Sequence, residues 1–211
     1  MGDRKRVNMG NLADTVYMLG GPVPPWGDYG DILIAGMTSH LGRQDGLLQL
    51  ERTGPLVPPI ALAGIGEVVV TNSFRSALEA SGLSGLRFQP VIKKHIVRLH
   101  WETWDRATPN PPEYPPTGEP EDYIFLGAHD PQLAAEMGDL WELCLEPHAR
   151  TERQPRRSAI GEQIFVVRAS WDGRDWFRAE GVSYVYVSAR ARNWLEAIVP
   201  EWVSFMPASI Q

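Results

Sequence analysis

Val68-Val-Val-Thr71-Asn-Ser-Phe-Arg75-Ser-Ala-Leu78-Glu79-Ala80 returns later in the chain as Val185-Tyr-Val-Ser188-Ala-Arg-Ala-Arg192-Asn-Trp-Leu195-Glu196-Ala197. The register continues without a gap, because Leu86-Arg-Phe88-Gln-Pro90 matches Val203-Ser-Phe205-Met-Pro207. Each copy reads the same way physically. A β-branched run predicts a strand. Thr71 or Ser188 then stands where a hydroxyl caps the first turn of a helix. Phe74, Ala77 and Leu78 share one helical face, as do Ala191, Trp194 and Leu195. Gly82 or Pro200 stops the helix, and a second short strand runs to the proline. Two strand–helix–strand modules, residues 67–91 and 184–208, therefore predict a duplicated half-domain.

Outward from these modules the chain reads mostly as strand and loop. Tyr17-Met-Leu and Asp31-Ile-Leu-Ile-Ala predict early strands, with turns between Gly20 and Gly30. Pro90 to Trp104 alternates as one long strand. Ala107 to Pro120 carries six prolines and predicts an exposed loop of polyproline character. Pro131 opens a short helix that ends near Gly138. Trp141-Glu-Leu-Cys-Leu-Glu146 alternates as a half-buried strand, with Trp141, Leu143 and Leu145 inward and Glu142, Cys144 and Glu146 outward. Ile164-Phe-Val-Val-Arg is a further strand, and Asp172-Gly173 marks a turn before Trp176 and Phe177. The expected class is α+β with mixed sheets, strands dominant and helices short. Residues 1–105 form an N-terminal half, 106–122 a proline-rich acidic loop and 123–211 a C-terminal half, together one compact unit.

Composition narrows the function. The 211 residues are 43% hydrophobic and 22% charged, which suits a folded globular chain. Twenty glycines and eighteen prolines predict many turns. One cysteine excludes a disulfide framework and multi-cysteine metal sites. No apolar run is long enough for a membrane-spanning helix. The basic start, Met1 to Arg6, is followed by Asn8, Asn11 and Asp14 rather than an apolar core, so a cytoplasmic protein is expected.

The net charge of −6 is unevenly placed. Eleven acids between Trp101 and His148 face a single base, Arg106. Arg150, Arg153, Arg156 and Arg157 follow as a basic patch. A field of one sign repels nucleic acid and attracts basic proteins, although a solvated face with a flexible acidic loop carries the same charge. Aromatics inside the block match the composition of protein-binding hot spots.

Catalytic signatures are lacking. His95 and His100, five apart, diverge on either a strand or a helix, and His40, His129 and His148 have no partner at metal spacing. Cys144 and His148 lie roughly 13 Å apart on an extended segment. Gly64-Ile-Gly66 precedes a strand, the wrong order for cradling phosphate. No cofactor and no metal is expected.

The module Val68–Pro90, with its strand, Thr71, helix, Gly82-Leu-Ser-Gly85, Phe88 and Pro90, resembles that of immunity proteins encoded beside bacterial polymorphic toxins. Gln163–Arg168 leading into Tyr184–Ser188 is similar to the C-terminal part of the same group. The resemblance covers about a third of the chain, in mostly structural residues, and the proline-rich insertion and basic patch depart from the pattern. It implies a non-catalytic cytoplasmic antidote that binds a cognate toxin domain, with no catalytic residues to carry over. Together with the charge pattern it points to a basic toxin, plausibly a nuclease, and to no direct contact with nucleic acid or membrane. Glu113, Glu119, Glu121, Asp122, Glu142 and Glu146 are the expected contacts, with Tyr114 and Tyr123 as aromatic anchors. A small α+β hydrolase and a module that docks peptides on a strand edge are the alternatives.

Overall fold

The computed structural model describes residues 15–155 and 162–211. The expectations for Met1–Arg6, Asn8, Asn11, Asp14, Arg156 and Arg157 lie outside the described residues.

The first half contains β1 (Val16–Gly20), helix α1 (Asp28–Ala35), β2 (Met37–Gln44), β3 (Leu47–Gly54), β4 (Ile60–Leu62), β5 (Val68–Thr71), helix α2 (Asn72–Ala80), β6 (Phe88–Pro90) and β7 (Ile92–Arg98). Residues 99–139 connect the halves through a 3₁₀ turn (Trp101–Thr103) and two short helices, α3 (Asp122–Phe125) and α4 (Pro131–Glu136). The second half runs through β8 (Leu140–Leu143), β9 (Pro147–Ala149), β10 (Thr151–Pro155), β11 (Glu162–Val166), β12 (Trp176–Ala179), β13 (Val185–Ser188), helix α5 (Ala189–Ile198), β14 (Ser204–Pro207) and β15 (Ser209–Ile210). The class is α+β, with short helices and mixed sheets.

Both modules form as the sequence predicts. Thr71 Oγ1 accepts from the Phe74 amide at 3.3 Å, and Ser188 Oγ from the Ala191 amide at 3.1 Å. Phe74 and Leu78 are buried, as are Ala191 and Leu195. The two strands of a module do not pair with each other. In the sheet β4-β5-β8-β6, β8 fills the gap between β5 and β6, antiparallel to both. In the sheet β14-β1-β13-β12-β9, the N-terminal β1 fills the gap between β13 and β14 in the same way. Each module is thus a split strand–helix–strand unit completed by a strand from elsewhere in the chain.

The ladder registers agree in both halves. Trp141 lies opposite Val70 and Pro90, and Tyr17 opposite Val187 and Pro207. The Arg75 guanidinium stacks 3.8 Å from the Trp141 ring centroid and 5.9 Å from Phe88. Arg192 does so at 4.6 Å from Tyr17 and 5.9 Å from Phe205. Each arginine is steadied by the glutamate one turn on, Glu79 at 3.0 Å and Glu196 at 2.8 Å. The repeated arginine, glutamate, phenylalanine and proline therefore build one motif twice. The match extends further: the parallel pair β3 and β7 corresponds to β11 and β15, and β4 to β12. The main core draws on both halves, and Phe74 of α2 meets Trp194 of α5 at 5.7 Å.

Two expectations change, and one element was not foreseen. Residues 31–35, read as a strand from their β-branched run, belong to helix α1, which packs Leu33, Ile34 and Ala35 inward. The long strand from Pro90 to Trp104 is broken: Pro90 ends β6, β7 covers Ile92–Arg98, and Trp101–Thr103 is a 3₁₀ turn. The hairpin β2–β3 drew no expectation, because Gln49, Glu51, Arg52 and Thr53 look like surface residues yet are buried.

Arg52 is fully enclosed and pairs with no carboxylate among the described residues. Its guanidinium donates to the carbonyls of Thr53, Ile34 and Leu56, and burial lowers its pKa to about 10. Ile34 lies in the last turn of α1, where the helix dipole is negative. Gly36, at φ +68, allows the approach, since a Cβ there would sit 2.6 Å from that of Arg52. Arg52 thus pins α1 to β3. Arg52→Ala is expected to lower unfolding stability by about 3 kcal/mol, through a cavity and orphaned carbonyls. Arg52→Lys should not restore it, because an ammonium lacks the fork. Urea unfolding of the two variants checks both outcomes.

Candidate functional site

Two segments lie outside the duplicated modules. One is residues 21–36, which contain α1; the matching connection from β8 to β10, residues 144–150, holds the short strand β9 and no helix. The other is residues 99–139. These additions pack against each other. Trp26 meets Trp104 edge-on at 5.8 Å and donates its indole N–H to the Thr108 carbonyl at 3.0 Å. Tyr29 packs edge-on against Tyr114 at 5.0 Å and Tyr123 at 6.2 Å, and its hydroxyl donates to the Gly118 carbonyl. The Tyr123 hydroxyl donates to the Glu113 carbonyl. The proline-rich loop has no regular structure, as expected, but Pro111 and Pro115 are buried and aromatic rings fix its path.

On this platform stand Glu113, Glu119 and Glu121, all exposed. None of the three has a cation at ion-pair distance among the described residues. Asp122 is half-buried and accepts from Thr117 Oγ1. Asp28 and Asp31 of α1 extend the acidic surface. Burial and the neighbouring Asp28 push the Asp31 carboxyl above its ordinary range. Tyr114 is 48% exposed, and at the end of α3 stand Phe125 and Leu126 at 46% and 58%. His40 of β2 packs edge-on against Phe125 at 6.5 Å. An apolar patch thus lies next to the acids, an arrangement typical of an interface with a dry centre and a polar rim. The sequence reading missed this patch, whose signal was the apolar run Tyr123-Ile-Phe-Leu126 directly after the acidic pair.

Three predicted site residues are not part of this exposed surface. Tyr123 is not a surface anchor; it belongs to the core cluster, and its phenol is pushed up to about 12 by burial and by the neighbouring Tyr29, Tyr114 and Glu113. Glu142 does not point outward to solvent but is 5% exposed. Arg43 grips it with two hydrogen bonds of 2.6 and 2.7 Å, and Gln89 adds a third at 2.7 Å. The hairpin β2–β3 covers that face of β8, so alternation alone misjudged it. Burial alone would raise the Glu142 carboxyl, yet these hydrogen bonds and the charges of Arg43 and Arg178 hold it below the ordinary glutamate value. Glu146 is exposed and pairs with Arg87 at 3.1 Å.

Glu142 and Glu146 line neighbouring clefts of about 260 and 170 Å³ that share Arg87 and Cys144. His148 lines the smaller one. Burial and the nearby Glu142 push the Cys144 thiol up, the wrong direction for a nucleophile. Among the described residues, no group of three or more His, Cys, Asp and Glu is arranged to hold a metal ion. No described helix is long and apolar enough to cross a membrane. No family model matches the chain, and no curated protein does either.

The Glu142 clamp makes a pH-dependent contribution to stability. A carboxylate whose pKa is lowered on folding stabilises fully above its unfolded value, 4.5 for a free glutamate, and loses that effect as the pH falls through the folded value. Glu142→Gln is expected to reduce stability at neutral pH by about 1–2 kcal/mol and to flatten the acid limb of the stability curve. Glu119→Gln, on the exposed loop, should leave that curve unchanged. Thermal unfolding between neutral pH and about pH 3 tests the pair.

Proposed function

We propose that the chain is a cytoplasmic immunity protein, an antidote that neutralises a cognate bacterial toxin domain by covering it. The observation that carries this reading is the meeting of the two added segments. Both segments converge on one preformed surface, where exposed Tyr114, Phe125 and Leu126 stand beside exposed acids. Loops held on a rigid scaffold are where binding specificity resides. Glu113, Glu119 and Glu121 raise the encounter rate with a basic partner, while Tyr114, Phe125 and Leu126 supply the desolvated contact that slows release. A nuclease domain fits that partner chemistry, because a site built to hold phosphates is itself positive. The module's resemblance to immunity proteins agrees with a stoichiometric blocker that performs no chemistry of its own.

The test begins with the protein encoded next to this chain. Its C-terminal domain is co-expressed with and without the chain and scored by cell survival, and binding of the purified pair is then timed. The triple variant Glu113→Lys/Glu119→Lys/Glu121→Lys is expected to slow association by about tenfold or more at low ionic strength, with little effect on dissociation. Phe125→Ala/Leu126→Ala should instead speed dissociation. Unchanged rates in both variants would place the interface elsewhere, and turnover of a metabolite by the purified chain alone would overturn the reading.

A further inference from the structure

The strand that completes the second half is also the first described strand of the chain. β1 is held by two ladders: Val16, Tyr17 and Met18 pair with β13, and Tyr17 to Gly20 pair with β14. Among the described residues it is the only strand that joins β14 to the sheet. Val16, Tyr17 and Leu19 are buried, so the slot is deep and specific.

The connection from β1 to α1 is short and stiff. It reads Gly21-Pro22-Val23-Pro24-Pro25-Trp26-Gly27. Trp26 takes φ +60, a left-handed conformation that a bulky L-residue adopts only under strain. Gly30 has to be glycine, because a Cβ there would fall 1.7 Å from the Pro25 carbonyl oxygen. Val23 projects into solvent at 93% exposure. Three prolines favour an extended polyproline path, yet the chain turns here to bring β1 back to its own second half.

From this geometry we propose that β1 is an exchangeable closing strand, and that two copies of this chain pair by inserting β1 of each between β13 and β14 of the other. The ladders are identical in the closed monomer and the exchanged dimer, so they do not decide between them. The hinge does. Short hinges under strain invite exchange, and straightening residues 21–27 releases the strained turn at Trp26. Protein concentration then sets the balance against the lost freedom of two separate chains. The exchange leaves α1 and residues 99–139 on the same body, so the packing of Tyr29 with Tyr114 and Tyr123 under the toxin-binding surface is kept, while straightening the hinge gives up the Trp26 contacts with Trp104 and Thr108.

Light scattering on the full chain across a concentration series, after equilibration in mild denaturant and its removal, measures the dimer fraction directly. Wild type is expected to show a dimer that grows with concentration. Inserting Gly-Ser-Gly-Ser after Gly21, or replacing Pro24 and Pro25 by Ala, should cut the dimer equilibrium constant by about tenfold. Met18 and Met206 are register partners across β1 and β14. Met18→Cys/Met206→Cys in a Cys144→Ser background should therefore cross-link within one chain in the monomer fraction and between chains in the dimer fraction. A chain that stays monomeric at every concentration overturns the proposal, as does a dimer fraction that cross-links only within single chains. The scattering series needs no cysteine variant, so poor folding of that variant leaves the test intact.

Discussion

Two parallel strands joined by one helix and spaced a strand's width apart leave two rows of backbone groups facing an empty channel. Buried amides and carbonyls must find partners, so neither module of this chain is a structure until an antiparallel strand enters its gap. β8 does this for β5 and β6, and β1 for β13 and β14. One gap is closed from 50 residues downstream of β6, the other from the opposite end of the chain. The halves are interlocked by this requirement rather than merely in contact. Because such pairings are distant in sequence, loop closure precedes most of the reward, and folding is expected to be slow for the chain's size.

The duplicated plan also separates scaffold from addition. At matching ladder positions, Glu142 corresponds to Met18 and Gln89 to Met206. One half answers the buried carboxylate with Arg43 and Gln89, and the other places sulfur and methylenes at the matching positions. Both solutions hold the same register, so the scaffold tolerates a change of chemistry on that face. Residues 21–36 do not follow from the scaffold's own needs, because the second half passes from β8 to β10 through residues 144–150 without a helix, and residues 99–139 are the connection that joins the halves. Arg52 and the aromatic group of Trp26, Tyr29, Trp104 and Tyr123 then tie the additions down.

What could be read from the sequence follows from this division. The echo was visible because the residues that repeat are those with local duties: the capping hydroxyl, the apolar helix face, the Arg–Glu pair and the closing proline. The strand that fills each gap was not identifiable, since Tyr17 and Trp141 announce only an alternating strand and not its neighbours. The hairpin β2–β3 escaped notice because its buried Gln49, Glu51 and Arg52 carry the composition of a surface. For Glu142 the alternation was right about Leu143, but a second layer covers the other face of the strand. Glu113, Tyr114, Glu119, Glu121 and Asp122 lie together along one connection, as their spacing in the chain requires. The anchoring of that connection by aromatic rings from the segment around α1 had no signal in the loop itself.

The acidic surface carries charges that the rest of the described chain pairs only in part. Arg98 and His100 pair with Asp130, Glu136 and Glu102 at its scaffold end, while Glu113, Glu119 and Glu121 project without a counter-charge among the described residues. In a flexible loop such charges would separate and lower their repulsion. Here the rings of Tyr29, Tyr114 and Tyr123 hold the loop that carries them, and Asp31 of α1 is raised chiefly by burial, with Asp28 adding to it. Folding thus holds these charges in a fixed array beside exposed Phe125 and Leu126. An array of this kind gains most when a cationic face arrives already shaped to it, because the ordering that binding normally requires has been done by folding.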